Sequence, residues 1–496
     1  MTYSKLKNLF EEQSLLNDIN GILSWDMATY MPAKSRNQRK KQIKVLYDYK
    51  KKIFNEIKKN DLFNRIEELK LYHKDRINVE LMKDKFEYFE TISFDRIQKK
   101  TSLSIECEGL WREAKEKSDF TIVKDSFNKL MKLIKEESEI LSQKKQLSKY
   151  DCLLLKYDRS LNSKKLKKLF NHIEKFINLK LPIIEKNQKN ETNLLDANKK
   201  LSEEEQFNLS KVFMKKLGFD FSKGRIDKSM HPFCGGSTDD VRITTRFDEN
   251  DAFSCFDALM HETGHALYEQ GLPSNWAHQP IGSAAGMSLH ESQSLFIEKQ
   301  IIKSLPVSKY LEKVLQEKLG KVSKEWTSQK IFKSRNRVKK SFIRVDADEV
   351  TYPLHIIHRF NIEYKIINEN INEVYLPDLW NDEFLKIFGM KVDCDTNGCL
   401  QDIHWFGGDF GYFPTYSVGA FIAAQLLNEI KNQFPDLNTM LENGDFQPII
   451  GWLRINIHQK GNESKINELL STSTKEILNL KYFKNHIINR FVKGNF

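Results

Sequence analysis

The chain has 496 residues, 40% of them apolar, enough for a substantial core in one large or two intimate domains. Its 79 Lys and Arg outnumber 68 Asp and Glu for a net charge of +11, but bases and acids alternate, as where Lys132 and Lys135 meet Glu136 and Glu137; this is a Lys- and Asn-rich bias and not a nucleic-acid face. No run approaches the roughly 18 apolar residues of a membrane span, the start lacks a signal peptide's apolar core, and the six scattered cysteines form no C-x-x-C ribbon, so a soluble cytoplasmic protein with free thiols is expected.

Between Ala33 and Leu181 there is no proline and Gly109 is the only glycine, which predicts a helical N-terminal part. The first helix should break after Leu23-Ser24-Trp25-Asp26, at Met31-Pro32. Asn162 and Ser163 can cap an amphipathic helix carrying Leu166, Leu169, Phe170, Ile173, Phe176 and Ile177. No strict heptad persists, which argues against a coiled coil. From 218 to 250 the chain is dense in Gly, Pro, Ser and Asp, and within it Asp240 to Phe247 alternates as a strand does. That strand reads equally as an edge able to hold an extended peptide or as part of a small structural hairpin.

Next, Phe253, Phe256, Met260, Gly264 and Leu267 recur at helical spacing, with Asn250 and Asp251 to start the helix and Gly271 and Pro273 to stop it. Inside it stands H-E-x-x-H: His261, Glu262 and His265. Residues four apart share a helix face, so both imidazoles can converge on one metal ion, while Glu262, turned about 100° away, can serve as general base. The alternative is a chance pair of histidines bonded to core carbonyls. A catalytic zinc wants a third protein ligand. Position 271 is glycine, and Glu269 lies a further turn along, so Glu291 on the following helical pattern is the candidate. His278, His355 and His358 read as structural, and the helical stretch from Ala420 to Phe496 carries no identifiable chemistry. Asp402 and His404 read evenly as support for a ligand's ring or as caps of a turn after Gly398.

Several motifs stand in order along the chain: His231-Pro232-Phe233; Asp240-Val-Arg242-Ile-Thr244; the H-E-x-x-H; His290-Glu291-Ser292-Gln293; Ile343-Arg344-Val-Asp346-Ala347-Asp348; Gly398-Cys-Leu-Gln401-Asp402-Ile-His404-Trp405; and Phe410-Gly-Tyr412-Phe-Pro-Thr-Tyr416. In this the sequence resembles the carboxypeptidase Taq family of zinc metallocarboxypeptidases over nearly its whole length. Asp346 stands where glutamate is usual, and Phe406 and Ala420 are unusual near the tyrosine loop. The resemblance implies a mainly α, bowl-like zincin fold with a deep groove and a small β-sheet beside the active site. It implies one domain over 1–496, with a helical part at 1–217, a catalytic core at 218–419 and C-terminal helices at 420–496, and a homodimer. It implies removal of single amino acids from peptide C-termini with broad specificity, using Zn2+ or, in its place, Co2+ or another divalent cation.

Carried onto this chain, His261, His265 and Glu291 become the metal ligands and Glu262 the base. Arg344 becomes the anchor for the substrate's terminal carboxylate, Tyr416 or Tyr412 the donor to the tetrahedral intermediate, and His231 a substrate contact. Arginine suits the anchoring role because its fork matches a carboxylate. Arg242 and Arg246 are rivals for it, and Arg344 could instead be salt-bridged to Asp346 or Asp348. An endopeptidase with the same zinc site and a non-catalytic peptide-binding protein are the competing readings.

Overall fold

A computed structural model describes residues 2–196, 200–229, 232–248, 250–320 and 324–494. The architecture is mainly helical with one small sheet. The first helix, Thr2–Thr29, stops just before Met31-Pro32, where the amides of Tyr30 and Met31 both turn back onto Asp26 O. The helix Ser163–Lys189 is capped as expected, Asn162 Oδ1 accepting from Lys165 N at 3.2 Å, and it buries Leu166, Phe170, Ile173, Phe176 and Ile177. Among the described residues no helix is long and apolar enough to cross a membrane.

The sheet has three strands: β1 (Gly224–Lys228), β2 (Phe233–Ser237) and β3 (Asp240–Thr245), in the order β1-β3-β2. β2 and β3 form an antiparallel hairpin with Phe233 opposite Thr244, while β1 runs parallel to β3 with Gly224 opposite Val241. The strand expected over Asp240 to Phe247 therefore ends at Thr245 and is the middle of the sheet, paired on both sides. It cannot take a peptide along its own edge. Arg242 on β3 lies 4.3 Å from the centre of the Trp25 indole and pairs with Asp240 at 2.8 Å, clamping the first helix to the sheet.

Buried apolar residues from Cys107 to Phe491 make one continuous core, and a smaller cluster from Leu6 to Phe94 serves the N-terminal helices. The H-E-x-x-H helix, Ser254–Glu269, runs through the large core with Phe256, Leu259, Met260 and Leu267 packed away from water. Each such side chain is worth about 1.5–3 kcal/mol of burial, which fixes the face on which the histidines emerge. Asp251 leads into this helix without being its N-cap, which is Phe253: its Oδ1 accepts from Phe253 N and Ser254 N at 3.0 Å each. Asn250 does not, its side-chain oxygen being taken by Lys200. A second helix, Met287–Leu295, follows and widens without a break into a π turn at Phe296–Ile302, where the sequence pattern predicts ordinary winding.

Candidate metal centre

His261 and His265 rise from adjacent turns of the first helix and Glu291 faces them from the second. His261 Nε2 lies 3.7 Å from Glu291 Oε1, and His265 Nε2 lies 3.5 Å from Glu291 Oε2. The three ligand atoms all fall within 4.8 Å of one another. The close approach depends on two missing side chains. A Cβ on Gly264 would sit 2.4 Å from Gln293 O, and one on Gly419, from the helix Pro414–Gln433, would sit 2.8 Å from Glu291 Cγ. Glycine lets three backbones meet where the ligands must converge.

The other nitrogen of each ring is engaged. His261 Nδ1 is 3.0 Å from Glu298 Oε2, and His265 Nδ1 is 3.1 Å from His290 O. Such partners fix ring orientation and tautomer, leaving the Nε2 lone pairs for a metal. Burial alone would raise Glu298, but Lys299 at 2.6 Å and Lys303 at 3.4 Å from its Oε1 hold it well below the usual carboxylate range. His290 Nε2 in turn meets Glu269 Oε1 at 2.8 Å, so Glu269 reaches a histidine behind the site and not the site itself.

Burial lowers the His261 imidazole, yet the carboxylates of Glu291, Glu298 and Glu262 outweigh it and push it up to about 9. Burial pushes Glu262 up to about 7 and His265 down to about 4. Three carboxylates thus crowd two imidazoles in a mostly buried site, where the His261 side chain keeps 22% exposure. Two nitrogens and a carboxylate gathered within reach of one point fit a divalent cation.

Arg344 lies on a short turn, Arg344–Asp346, and is 6% exposed. Its partner is neither Asp346, which is exposed, nor Asp348, which accepts the amides of Lys339, Val350 and Thr351. Arg344 Nε donates to Asp402 Oδ1 at 2.9 Å and Nη1 to Tyr352 Oη at 2.9 Å. Arg359 shares the same carboxylate, its Nε donating to Asp402 Oδ2 at 2.7 Å. His404 Nε2 meets Tyr416 Oη at 3.0 Å, and the Arg344 guanidinium lies 5.0 Å from the centre of the Tyr416 ring. Tyr412 packs edge-on against Tyr416 with centroids 5.3 Å apart.

Asp402 and His404 therefore belong to the arginine–tyrosine cluster and touch neither ligand ring. The carboxylate that does hold a ligand ring is Glu298, which the sequence reading missed. The rival Arg242 is committed to Asp240 and Trp25, and Arg246 is exposed. His231 lies outside the described residues. Of the remaining histidines, His358 Nε2 is bonded to Trp380 O deep in the core, His355 is fully buried, and His278 sits beside Ser14 and Asp18.

Comparison with known proteins agrees with this geometry. The family model described as "Carboxypeptidase Taq (M32) metallopeptidase" matches residues 5–491. The chain is 34% identical to Carboxypeptidase 1 of Bacillus subtilis over 501 residues, covering 99% of this chain and 98% of that one. It is 35% identical to Thermostable carboxypeptidase 1 of Pyrococcus furiosus, covering 77% of this chain and 76% of that one. The solved structure of Trypanosoma cruzi metallocarboxypeptidase 1 superposes with a TM-score of 0.93 at 31% identity, covering 99% of each chain. With its two histidines and glutamate gathered around one point, the chain belongs to the carboxypeptidase Taq family and is a metal-dependent carboxypeptidase.

Proposed function

We propose that this chain is a zinc carboxypeptidase, able to work with cobalt in place of zinc, that removes single amino acids of many kinds from peptide C-termini. One observation carries the reading: a single helix joins the two halves of the site. Tyr416 lies against Arg344 near its start, and Gly419, one turn on, packs against Glu291. A carboxylate anchor and a metal point are thereby held at a fixed separation, which is what selects a terminal peptide bond.

His261, His265 and Glu291 would hold the cation, which when bound polarises the scissile carbonyl and makes water acidic near neutral pH. Glu262 takes a proton from the attacking water and delivers it to the amide nitrogen as the C–N bond breaks, giving a shortened peptide and a free amino acid. Burial raises its carboxyl, which favours its taking up the proton. Arg344 grips the terminal carboxylate with the Nη hydrogens that Asp402 and Tyr352 leave over. Burial first, and then Tyr412, push the Tyr416 hydroxyl well above its ordinary value, so it stays protonated and can donate to the developing oxyanion. Tyr412 and His231 are assigned to contacts with the substrate.

The decisive test pairs free-acid and C-terminally amidated forms of one peptide. The amide should be cleaved hardly at all, whereas an endopeptidase would treat both alike. Arg344→Ala should lower kcat/KM for the free acid by about 10- to 100-fold, the loss of one or two charged hydrogen bonds, at unchanged metal content. Parent-level activity in that variant would take the anchoring role away from Arg344. We further propose that residues 1–496 form one domain acting as a cytoplasmic homodimer without nucleic-acid or membrane partners; mass in solution checks the dimer.

A further inference from the structure

The π turn that carries Glu298 is braced from far along the chain. Lys303 N reaches back to Glu298 O at 3.0 Å and Ser304 N to Ile301 O at 3.1 Å, so neither amide serves the carbonyls of Lys299, Gln300 or Ile302. Buried carbonyls at a helix end need partners from elsewhere. Arg490, on a second π segment at Ile488–Val492, supplies two of the three: Nη1 donates to Lys299 O, and Nη2 to Gln300 O at 3.3 Å. Arg335 Nη1 supplies the third at 3.2 Å. Arg490 is 4% exposed and is itself held by Glu349 Oε2 at 3.3 Å. Glu349 also takes His486 Nε2 at 2.8 Å and Gln300 Nε2 at 3.0 Å, which closes the brace around the π turn.

We propose that Arg490 is a positioning residue for the metal centre: by holding the Lys299 and Gln300 carbonyls it fixes the π turn, and through Glu298 it aims the His261 ring. The geometry is sensitive because one residue of winding on a helix is about 100° of rotation. Relaxed to ordinary winding, the turn would swing Glu298 off His261 Nδ1 and leave the ring unheld. π turns are often found at functional sites, and here the widened turn has its own donor. The bonds described for Arg490 go to Lys299 O, Gln300 O and Glu349, none of them a ligand, so its effect is exerted through the turn. The inference rests on the ligand roles proposed for His261, His265 and Glu291.

The experiment measures Zn2+ affinity by chelator competition, the visible absorption of the Co2+-loaded protein, and thermal unfolding of the metal-stripped protein, in Arg490→Met and Arg490→Lys. Arg490→Met should weaken zinc binding by about 10- to 100-fold, the usual size of losing support behind a ligand, and should shift the cobalt bands. Arg490→Lys keeps the charge but cannot fork across two carbonyls, so it should fall between parent and Arg490→Met; it decides the matter if the Met variant does not fold. Glu298→Gln should weaken zinc comparably, and adding Arg490→Met to it should cost little more, because both act through one ring. Unchanged zinc affinity and cobalt spectrum in the Arg490 variants overturn the proposal, even if thermal stability drops. His261→Ala separates the two levels: if it binds zinc like the parent, the ligand reading fails, and if it loses zinc while the Arg490 variants do not, only the positioning role fails.

Discussion

Replacing Glu262 by glutamine is expected to cut turnover by about 10²-fold or more while the metal stays bound. Glutamine has nearly the same shape and can still accept a hydrogen bond, but it cannot hold the proton of the attacking water, and a general base commonly supplies that much rate. Metal content should be unaffected because the ligand cluster is His261, His265 and Glu291, with Glu262 beside it. Stability should not suffer either. Glu262 is 7% exposed and its carboxyl is raised to about 7, so the fold gains nothing from its charge. Side-by-side steady-state kinetics and metal analysis check the prediction. A glutamine variant that hydrolyses peptide at the parent rate would remove Glu262 from the chemistry; one that loses its metal would make it a ligand. The same variant speaks to the non-catalytic reading, since a peptide-binding protein has no turnover to lose.

The second large effect is expected at Gly264, between the two histidines' turns. An alanine Cβ there would lie 2.4 Å from Gln293 O and 2.5 Å from Ser294 Cα, both backbone atoms that cannot swing aside. Ordinary contacts sit near 3.5–4.0 Å, so the two helices must part by about 1 Å. Alanine favours a helix over glycine by about 1 kcal/mol, but overpacking typically costs about 1–3 kcal/mol, and the packing term should win. Function should suffer more than stability. Moving Glu291 about 1 Å from the histidines is the kind of misplacement that costs on the order of 10²-fold in rate. Thermal unfolding and kcat measured on Gly264→Ala decide it: parent values for both would mean that the helices need not approach so closely.

Much of this was legible in the sequence. The H-E-x-x-H helix announces itself twice, by its ligand spacing and by the apolar repeat from Phe253 to Leu267, and the two signals agree because one helix face is buried and the other carries the chemistry. The end of the first helix and the cap at Asn162 are set by local chemistry, which sequence states directly. Glu291 could be reached by elimination, since so few carboxylates follow the histidines at a useful distance. What sequence does not state is pairing over distance and irregular winding. β1, with its charged GRIDK sequence, carries no strand signal of its own, so its parallel partnership with β3, and hence the central place of that strand, stayed hidden. Asp402 meets Arg344 from 58 positions away, while two nearer aspartates looked equally plausible. Glu298 stands seven residues after Glu291, inside a π turn that carries no signal in the sequence, so its place at His261 Nδ1 stayed hidden.

The sharing of Asp402 between Arg344 and Arg359 has a further bearing on how the enzyme empties itself. Two guanidinium groups facing one carboxylate leave the cluster one negative charge short, and Arg359 stays cationic at neutral pH although burial lowers it to about 10. A peptide terminus bound there as proposed would satisfy that deficit, and so would the carboxylate of the amino acid just cut free. The freed amino acid should therefore linger and compete with fresh peptide, which inhibition kinetics with added amino acids would reveal; the strength of the grip on the substrate also sets the rate at which the product lets go.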